Sequence, residues 1–354
     1  MADYLKYCEF GMLDFEDSFF DSLKKDYPGF VGWFRRKVDK KEKAYVHYDK
    51  KGNLSGFLYL KVEHGKVNDV EPPILANNIV KIGTFKIDSH GTRQGERFLK
   101  KAFDYCIYNS ADVCYVTLYS KQEGLIKLFQ KYGFVKYGEK EGTNVESKEI
   151  VMLKNFSVIV GDIFKDYPLI DRKNGNKHIL SIYPQYHSVM FPDSILKTEN
   201  VNILSDVTYT NSIHKTYVCR MNDTLKFSKG DIVVVYRTAE PGKYAEYSSV
   251  ATSICVVEDV KGQSRYKDFE AFYSDVSKYS VFDKNDLRKW YDIGGCIVIK
   301  MTYNIALNKR ITRHDLIENI GIPRTAYWGC MKISNEIFDK IVEAGEVDES
   351  FIIH

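Results

Sequence analysis

The residues best suited to chemistry lie between positions 79 and 134. A strand-like run, IVKIGTFKID (79–88), leads into the polar stretch SHGTRQGE and then into RFLKKAFDYCIYN, where Phe98, Ala102 and Cys106 form one helical stripe. A loop that opens a helix presents backbone N–H groups at the positive end of the helix dipole, and can hold a pyrophosphate. Gly91 and Gly95 allow close approach of that backbone, and Arg93 adds charge-assisted contacts. Next come VCYVTLY (113–119), a buried strand, and QEGLIKLFQKYGF, a helix for which Gly133 suits the C-cap. Far downstream, KRITRH (309–314) forms a local basic run able to meet phosphate, and Tyr327-Trp328 is either a stacking platform for a base or a packing pair.

The elements that must position these groups alternate between strand and helix as far as residue 155. Residues 18–38 read as two amphipathic helices divided by Pro28-Gly29. The runs 43–49 and 54–63 flank a KKGN turn and read as an antiparallel hairpin. Residues 134–137 and 150–153 close this part as strands. The stretch 156–177, with its polar RKNGNK run, reads as a linker. From 178 to 354 the chain is strand-rich, with a helical segment at 268–290 and two short closing helices.

Composition narrows the function classes. The chain has 354 residues, room for two domains, with 44% hydrophobic and 28% charged residues, the balance of a globular protein. A net charge of +3 advertises no global affinity for nucleic acid or membrane, so any such contact must be a local patch. No apolar run approaches the ~20 residues of a membrane span. Seven single cysteines without a CxxC pair argue against a zinc ribbon or disulfide framework, and no metal is called for. With no signal-like start, a cytoplasmic protein is expected.

Residues 1–155 resemble the GCN5-related N-acetyltransferase (GNAT) family in element order. That family's cofactor signature is Gln/Arg-x-x-Gly-x-Gly/Ala at a helix start; here it aligns with His90-Gly91-Thr92-Arg93-Gln94-Gly95, which keeps the last glycine. The resemblance implies acetyl-CoA as acyl donor. It assigns the backbone of Phe85, Lys86 and Ile87 to the pantetheine arm, as an added strand, and the amides of Gly91, Thr92, Arg93, Gln94, Gly95 and Glu96 to the pyrophosphate. LIKLFQKYGF resembles the family's Asn-x-x-Ala-x-x-Leu-Tyr-x-x-x-Gly-Phe ending, with Gln122 at the Asn position. Phe129 stands where the family commonly has the tyrosine that protonates the departing thiolate. Tyr119 is then the expected substitute acid, and Asp88 the expected base ahead of Glu63 and His90.

Residues 178–354 resemble, more loosely, PUA-like domains of the ASCH/EVE kind, which implies a β-barrel with inserted helices and RNA as partner. In such a barrel Lys215, Arg220 and Arg237 would line one mouth, and Lys309, Arg310 and Arg313 would meet phosphate. The expected whole is an α+β chain of two domains, 1–155 and 178–354. Its expected function is acetyl-CoA-dependent N-acetylation directed to an RNA-associated amine such as the aminoacyl end of tRNA, including a toxin role. The alternatives are a protein or small-amine acetyltransferase, and a non-catalytic protein that binds acyl-CoA and nucleic acid. Oligomeric state is not addressed by the sequence.

Overall fold

The computed structural model describes residues 4–88, 93–142, 148–191 and 212–353. The chain divides into two compact units that part between Asp166 and Tyr167. This boundary falls inside the 156–177 stretch.

The first unit opens with strand β1 (Tyr4–Glu9), followed by helices α1 (Asp21–Asp26) and α2 (Phe30–Asp39). Strands β2 (Lys43–Tyr48), β3 (Leu54–Val67) and β4 (Ile74–Ile87) form an antiparallel meander. Helix α3 (Gln94–Tyr108) then crosses over to β5 (Val113–Tyr119), the one strand that runs parallel to its neighbour β4. A parallel pair requires such a crossover, and α3 supplies it by burying Phe98, Leu99, Ala102, Phe103 and Cys106. Helix α4 (Glu123–Lys131), strands β6 (Val135–Lys140) and β7 (Glu149–Asn155), and the short helix α5 (Ile163–Asp166) complete the unit. The sheet order is β1-β2-β3-β4-β5-β7-β6. Under α1 and α2 lies an aromatic core in which Phe10 meets Phe34, Phe57 and Tyr59 edge to face. Gly133 ends α4 at φ +82°, the left-handed geometry expected of a C-cap glycine.

The second unit contains β8 (Ile170–Asp171), β9 (Lys177–Ile182), α6 (Pro184–Met190), β10 (His214–Cys219), β11 (Ile232–Arg237), α7 (Ala245–Ser248) and β12 (Val250–Gly262). Helices α8 (Phe269–Val276) and α9 (Lys284–Ile293), strand β13 (Ile297–Thr312), α10 (Arg313–Glu318), β14 (Cys330–Ile333), α11 (Asn335–Ala344) and β15 (Ile352–Ile353) follow. The main sheet has the order β10-β13-β12-β11-β9-β14, with β9 and β11 parallel. Bulges along β12 and β13 bend it. The expected closed barrel is not formed among the described residues. Closure needs the two edge strands to pair, and here β10 bonds only to β13 while the four-residue β14 bonds only to β9. The result is two α+β units with open sheets.

Candidate active site

Strands β4 and β5 run side by side only from Ile79↔Val113 to Ile82↔Val116. Beyond that point β4 continues to Ile87 and β5 to Tyr119 without a ladder between them among the described residues. The cause lies in the register with β3. Leu60 pairs with Ile82 and Tyr59 with Thr84, so Gly83 is an unmatched bulge residue. A bulge bends its strand and sharpens the twist, which carries the end of β4 away from β5. A Cβ at Gly83 would lie 2.7 Å from Tyr59 Cδ1, so the Tyr59 ring covers this position closely. Residues 83–87 thus hold a strand partner on the β3 side, through Phe85↔Leu58, Lys86↔Phe57 and Ile87↔Gly56, and none on the β5 side among the described residues. An edge of this kind can accept an extended ligand as an extra strand.

Helix α3 starts beside this edge. Arg93 sits at its N-terminal boundary, and Gly91 and Thr92 lie outside the described residues. Gln94 is buried, and its side chain is spent on the interior: it meets His47 Nδ1 and reaches Ser55 Oγ at 3.2 Å. Glu96 accepts from Lys131 Nζ at 2.5 Å and Tyr132 OH at 2.9 Å, tying α3 to α4. A Cβ on Gly95 would come within 2.9 Å of Leu128 Cδ2, so this glycine allows the two helices to approach. Phe85 packs against Phe98 and Phe129, while Lys86 Nζ turns to the Phe19 carbonyl and to Ser22 Oγ, the latter at 2.7 Å. For Gln94 and Glu96, then, only the main chain is left to meet a phosphate.

A cavity of about 500 Å³ occupies the opening, lined by α1, α2 and strands β3 to β5. Glu63 on β3 faces it, accepting from Tyr115 OH at 2.8 Å and from Lys61 Nζ at 2.8 Å. Burial raises the Glu63 carboxyl, but these two hydrogen bonds and the charges of Lys81 and Lys61 outweigh it and hold the group below the usual carboxylate range. Glu63 is therefore an ionised base at neutral pH. Asp88 does not join the cavity lining; it is exposed and paired with Lys86 at 3.3 Å. His90 lies outside the described residues.

Tyr119 ends β5 and is only 6% exposed, with a hydroxyl that has no hydrogen-bond partner among the described residues. Its ring stacks on Tyr27 at 5.0 Å. Tyr27 itself lines the cavity, and burial followed by the nearby Glu149 charge pushes its phenol well above the ordinary range, so it keeps its proton. Gln122, which also lines the cavity, accepts from the Tyr119 backbone N–H at 3.0 Å. Phe129 is fully buried against Phe85 and Phe134 and has no acid role. Tyr27, Glu149 and Lys81 were not singled out by the sequence; the one available signal was the polar Lys61 and Glu63 alternating with Leu60 and Val62 after the apolar run Phe57–Leu60.

The second unit has its own cavity, of about 780 Å³, walled by Tyr183, Tyr186, Tyr217, Tyr236, Trp290 and Trp328 among others. Arg313 lies over the Trp328 ring at 4.5 Å, and Trp328 in turn tilts against Tyr236 at 5.3 Å. The indole N–H of Trp328 has no acceptor among the described residues. Of the six expected nucleic-acid residues, Arg220 and Arg313 line this cavity. Lys215 is buried between the Phe191 and Tyr303 rings, and Arg237 is buried and paired with Glu240 at 3.0 Å. Lys309 pairs with Glu346 at 3.8 Å and Arg310 donates to the Leu307 carbonyl at 3.3 Å, so these two do not form one patch with Arg313 at the cavity.

No protein-family model matches the chain, and no curated protein matches it. Among solved structures the chain is similar to the NatC complex bound to Gag peptide and CoA, at 16% identity over 43% of this chain and 98% of that one, with a TM-score of 0.32. It is also similar to nourseothricin acetyltransferase, at 14% identity over 32% of this chain and 64% of that one, TM-score 0.26. ASCH from Zymomonas mobilis is similar at 11% identity over 49% of this chain and 96% of that one, TM-score 0.34. Among the described residues no helix is long and apolar enough to cross a membrane, and no three His, Cys, Asp or Glu side chains gather as a metal site.

Proposed function

We propose that the first unit is an acyl-CoA-dependent N-acyltransferase, with acetyl-CoA as donor. The observation that carries this reading is the parallel β4/β5 pair that parts after Ile82 and Val116, beside the start of α3 and over a cavity holding the ionised Glu63 carboxylate and the protonated Tyr27 phenol. The main chain of residues 83–87 would hold the pantetheine arm as an added strand, and the α3 start the pyrophosphate. The donor supplies a thioester carbonyl open to direct attack by an amine, so no protein nucleophile is needed. Glu63 takes the proton that the amine loses as the new C–N bond forms. Tyr119, or Tyr27 stacked upon it, gives a proton to the sulfur as the C–S bond breaks. The cavity walls hold the amine in line with the opening, which is the larger share of what such a site has to do. Asp88, exposed and paired with Lys86, is replaced by Glu63 as the proposed base.

The second unit favours a nucleic-acid-associated acceptor through one feature, the Arg313–Trp328–Tyr236 stack in an aromatic cavity. Aromatic faces stack unpaired bases, and Arg220 with Arg313 would meet phosphate. We therefore place an RNA-borne amine, such as the aminoacyl end of tRNA, ahead of peptides and small amines; a growth-inhibiting role would follow from acylating it. The test is release of CoA thiol from acetyl-CoA with aminoacyl-tRNA, peptides or small amines as acceptors. Turnover lost in Glu63→Gln supports the transferase. Acetyl-CoA binding without turnover on any acceptor would leave a binding protein instead. Retention on tRNA that weakens steeply with salt and is lost in Trp328→Ala supports the RNA reading, and retention indifferent to both overturns it.

A further inference from the structure

The floor of the first-unit cavity carries an arrangement that sheet stability alone disfavours. Lys61 on β3 and Lys81 on β4 are direct cross-strand partners in an antiparallel ladder. Like charges so placed repel. Lys81 in turn is in register with Tyr115 on β5, so Lys61, Lys81 and Tyr115 form one row across three strands. A third ammonium arrives from β6: Lys140 Nζ lies 2.5 Å from Asp69 Oδ2, and Lys81 Nζ lies 3.8 Å from the same oxygen. The other carboxylate is Glu63, bound by Lys61 and Tyr115. In their ion pairs these three ammonium groups thus share two carboxylates, while Glu149, the cross-strand partner of Lys140, and Arg36 add one charge of each sign to the wall; Lys61, Glu63, Lys81 and Lys140 all line the cavity. Lys81 is the most enclosed of the three, its side chain 19% exposed, and has the longest ion pair of the set. Burial and then the charge of Lys140 pull its ammonium below the ordinary lysine range. An added anion would relieve that crowding.

We propose that the acceptor amine carries an anionic group, a carboxylate or a phosphate ester, that seats on Lys81 between Lys61 and Lys140; on an aminoacyl-tRNA this would be the phosphodiester next to the terminal nucleoside or an acidic amino-acid side chain. The proposal rests on the acyltransferase reading for its meaning, since the anion end would fix the acceptor while its amine reaches Glu63 and the β4/β5 opening. The cluster selects for charge, and its neighbour Glu63 does the proton work.

The experiment has a binding arm and a turnover arm, both on the full chain. In the first, phosphoethanolamine, β-alanine and neutral ethanolamine are titrated without acyl donor into the wild type, Lys81→Met and Lys140→Met. Either anionic amine should bind the wild type at least ~10-fold more tightly than ethanolamine, and Lys81→Met should erase the difference; which of the two anions binds better distinguishes a phosphate from a carboxylate seat. Equal binding of all three, no binding, or discrimination kept in Lys81→Met overturns the proposal. In the second arm the same amines are tested with acetyl-CoA, with the lower KM expected for the anionic amines. Anion binding through Lys81 with no acyl transfer leaves the anion site standing and defeats the transferase. Equal acylation of neutral and anionic amines does the reverse.

Discussion

Tyr119→Phe is the substitution for which the structure reverses the ordinary expectation. A buried tyrosine usually donates a hydrogen bond, and removing its hydroxyl costs about 1 kcal/mol. The Tyr119 hydroxyl is buried and has no partner among the described residues, so the wild type already bears the desolvation of an unmet polar group, about 1–3 kcal/mol. The phenylalanine ring keeps the stack on Tyr27 and leaves no cavity larger than one oxygen atom. The variant should therefore be more stable by about 1 kcal/mol, raising the melting temperature of a unit of this size by roughly 2–4 °C. Turnover should move the other way, falling about 100-fold or more if this phenol protonates the leaving sulfur. Calorimetric unfolding of the full chain and CoA release with a fixed acceptor measure the two effects. A melting temperature lowered by 2 °C or more would refute the reasoning, because it would mean that the hydroxyl is satisfied in solution. Unchanged turnover would pass the acid role to Tyr27.

Four further substitutions probe other links. Glu63→Gln should lower kcat by about 100-fold while leaving acetyl-CoA affinity unchanged; since Glu63 is held below the usual carboxylate range, the wild-type rate between pH 5 and 8 should follow the acceptor amine and not this carboxyl. Lys154 is buried and its ammonium is pulled down to about 8, first by desolvation, although it donates to the Tyr132 carbonyl at 3.1 Å. Its charged form is disfavoured on folding, so the penalty is complete below about pH 8 and fades as pH rises toward the unfolded lysine value of about 10.5. Urea unfolding should accordingly show the wild type gaining up to about 3 kcal/mol relative to Lys154→Met across that window, and parallel pH profiles would contradict the assignment. Gly133→Ala combines a φ of +82° with a Cβ placed 2.1 Å from the Lys165 carbonyl oxygen and should destabilise by more than about 2 kcal/mol, whereas Gly124→Ala in α4, with nothing within 4 Å, should be neutral or stabilising in the same urea assay.

What could be read in the sequence followed local rules. The KKGN turn between two alternating runs gave the β2/β3 hairpin, Gly133 marked the end of α4, and the stripe of Phe98, Ala102 and Cys106 marked the buried face of α3. Pairing decisions were not local and stayed hidden. The bulge at Gly83 exists only relative to β3, and the Lys61–Lys81 row only once the register is set. Closure of the second sheet depends on whether β10 and β14 meet, which neither strand's residues declare. Charge type was a poor guide to exposure in the strands. Lys215 lies on β10, where both faces are covered, and Arg237 at the end of the fully buried β11, so neither reaches a mouth. Gln94, whose amide its neighbours assign to a phosphate loop, sends its side chain to His47 and Ser55 in the interior, a contact no local pattern declares.

In the proposed function the gap between β4 and β5 would receive an acyl-CoA. Isothermal titration of the full chain with acetyl-CoA, beside Thr117→Trp, tests it most directly, because Thr117 lines the cavity beyond the last β4/β5 pair at a partly exposed position where an indole would fill the gap. Saturable 1:1 binding by the wild type, lost in a Thr117→Trp protein that melts normally, is the predicted result. No binding by the wild type, or equal binding by both, would contradict the account.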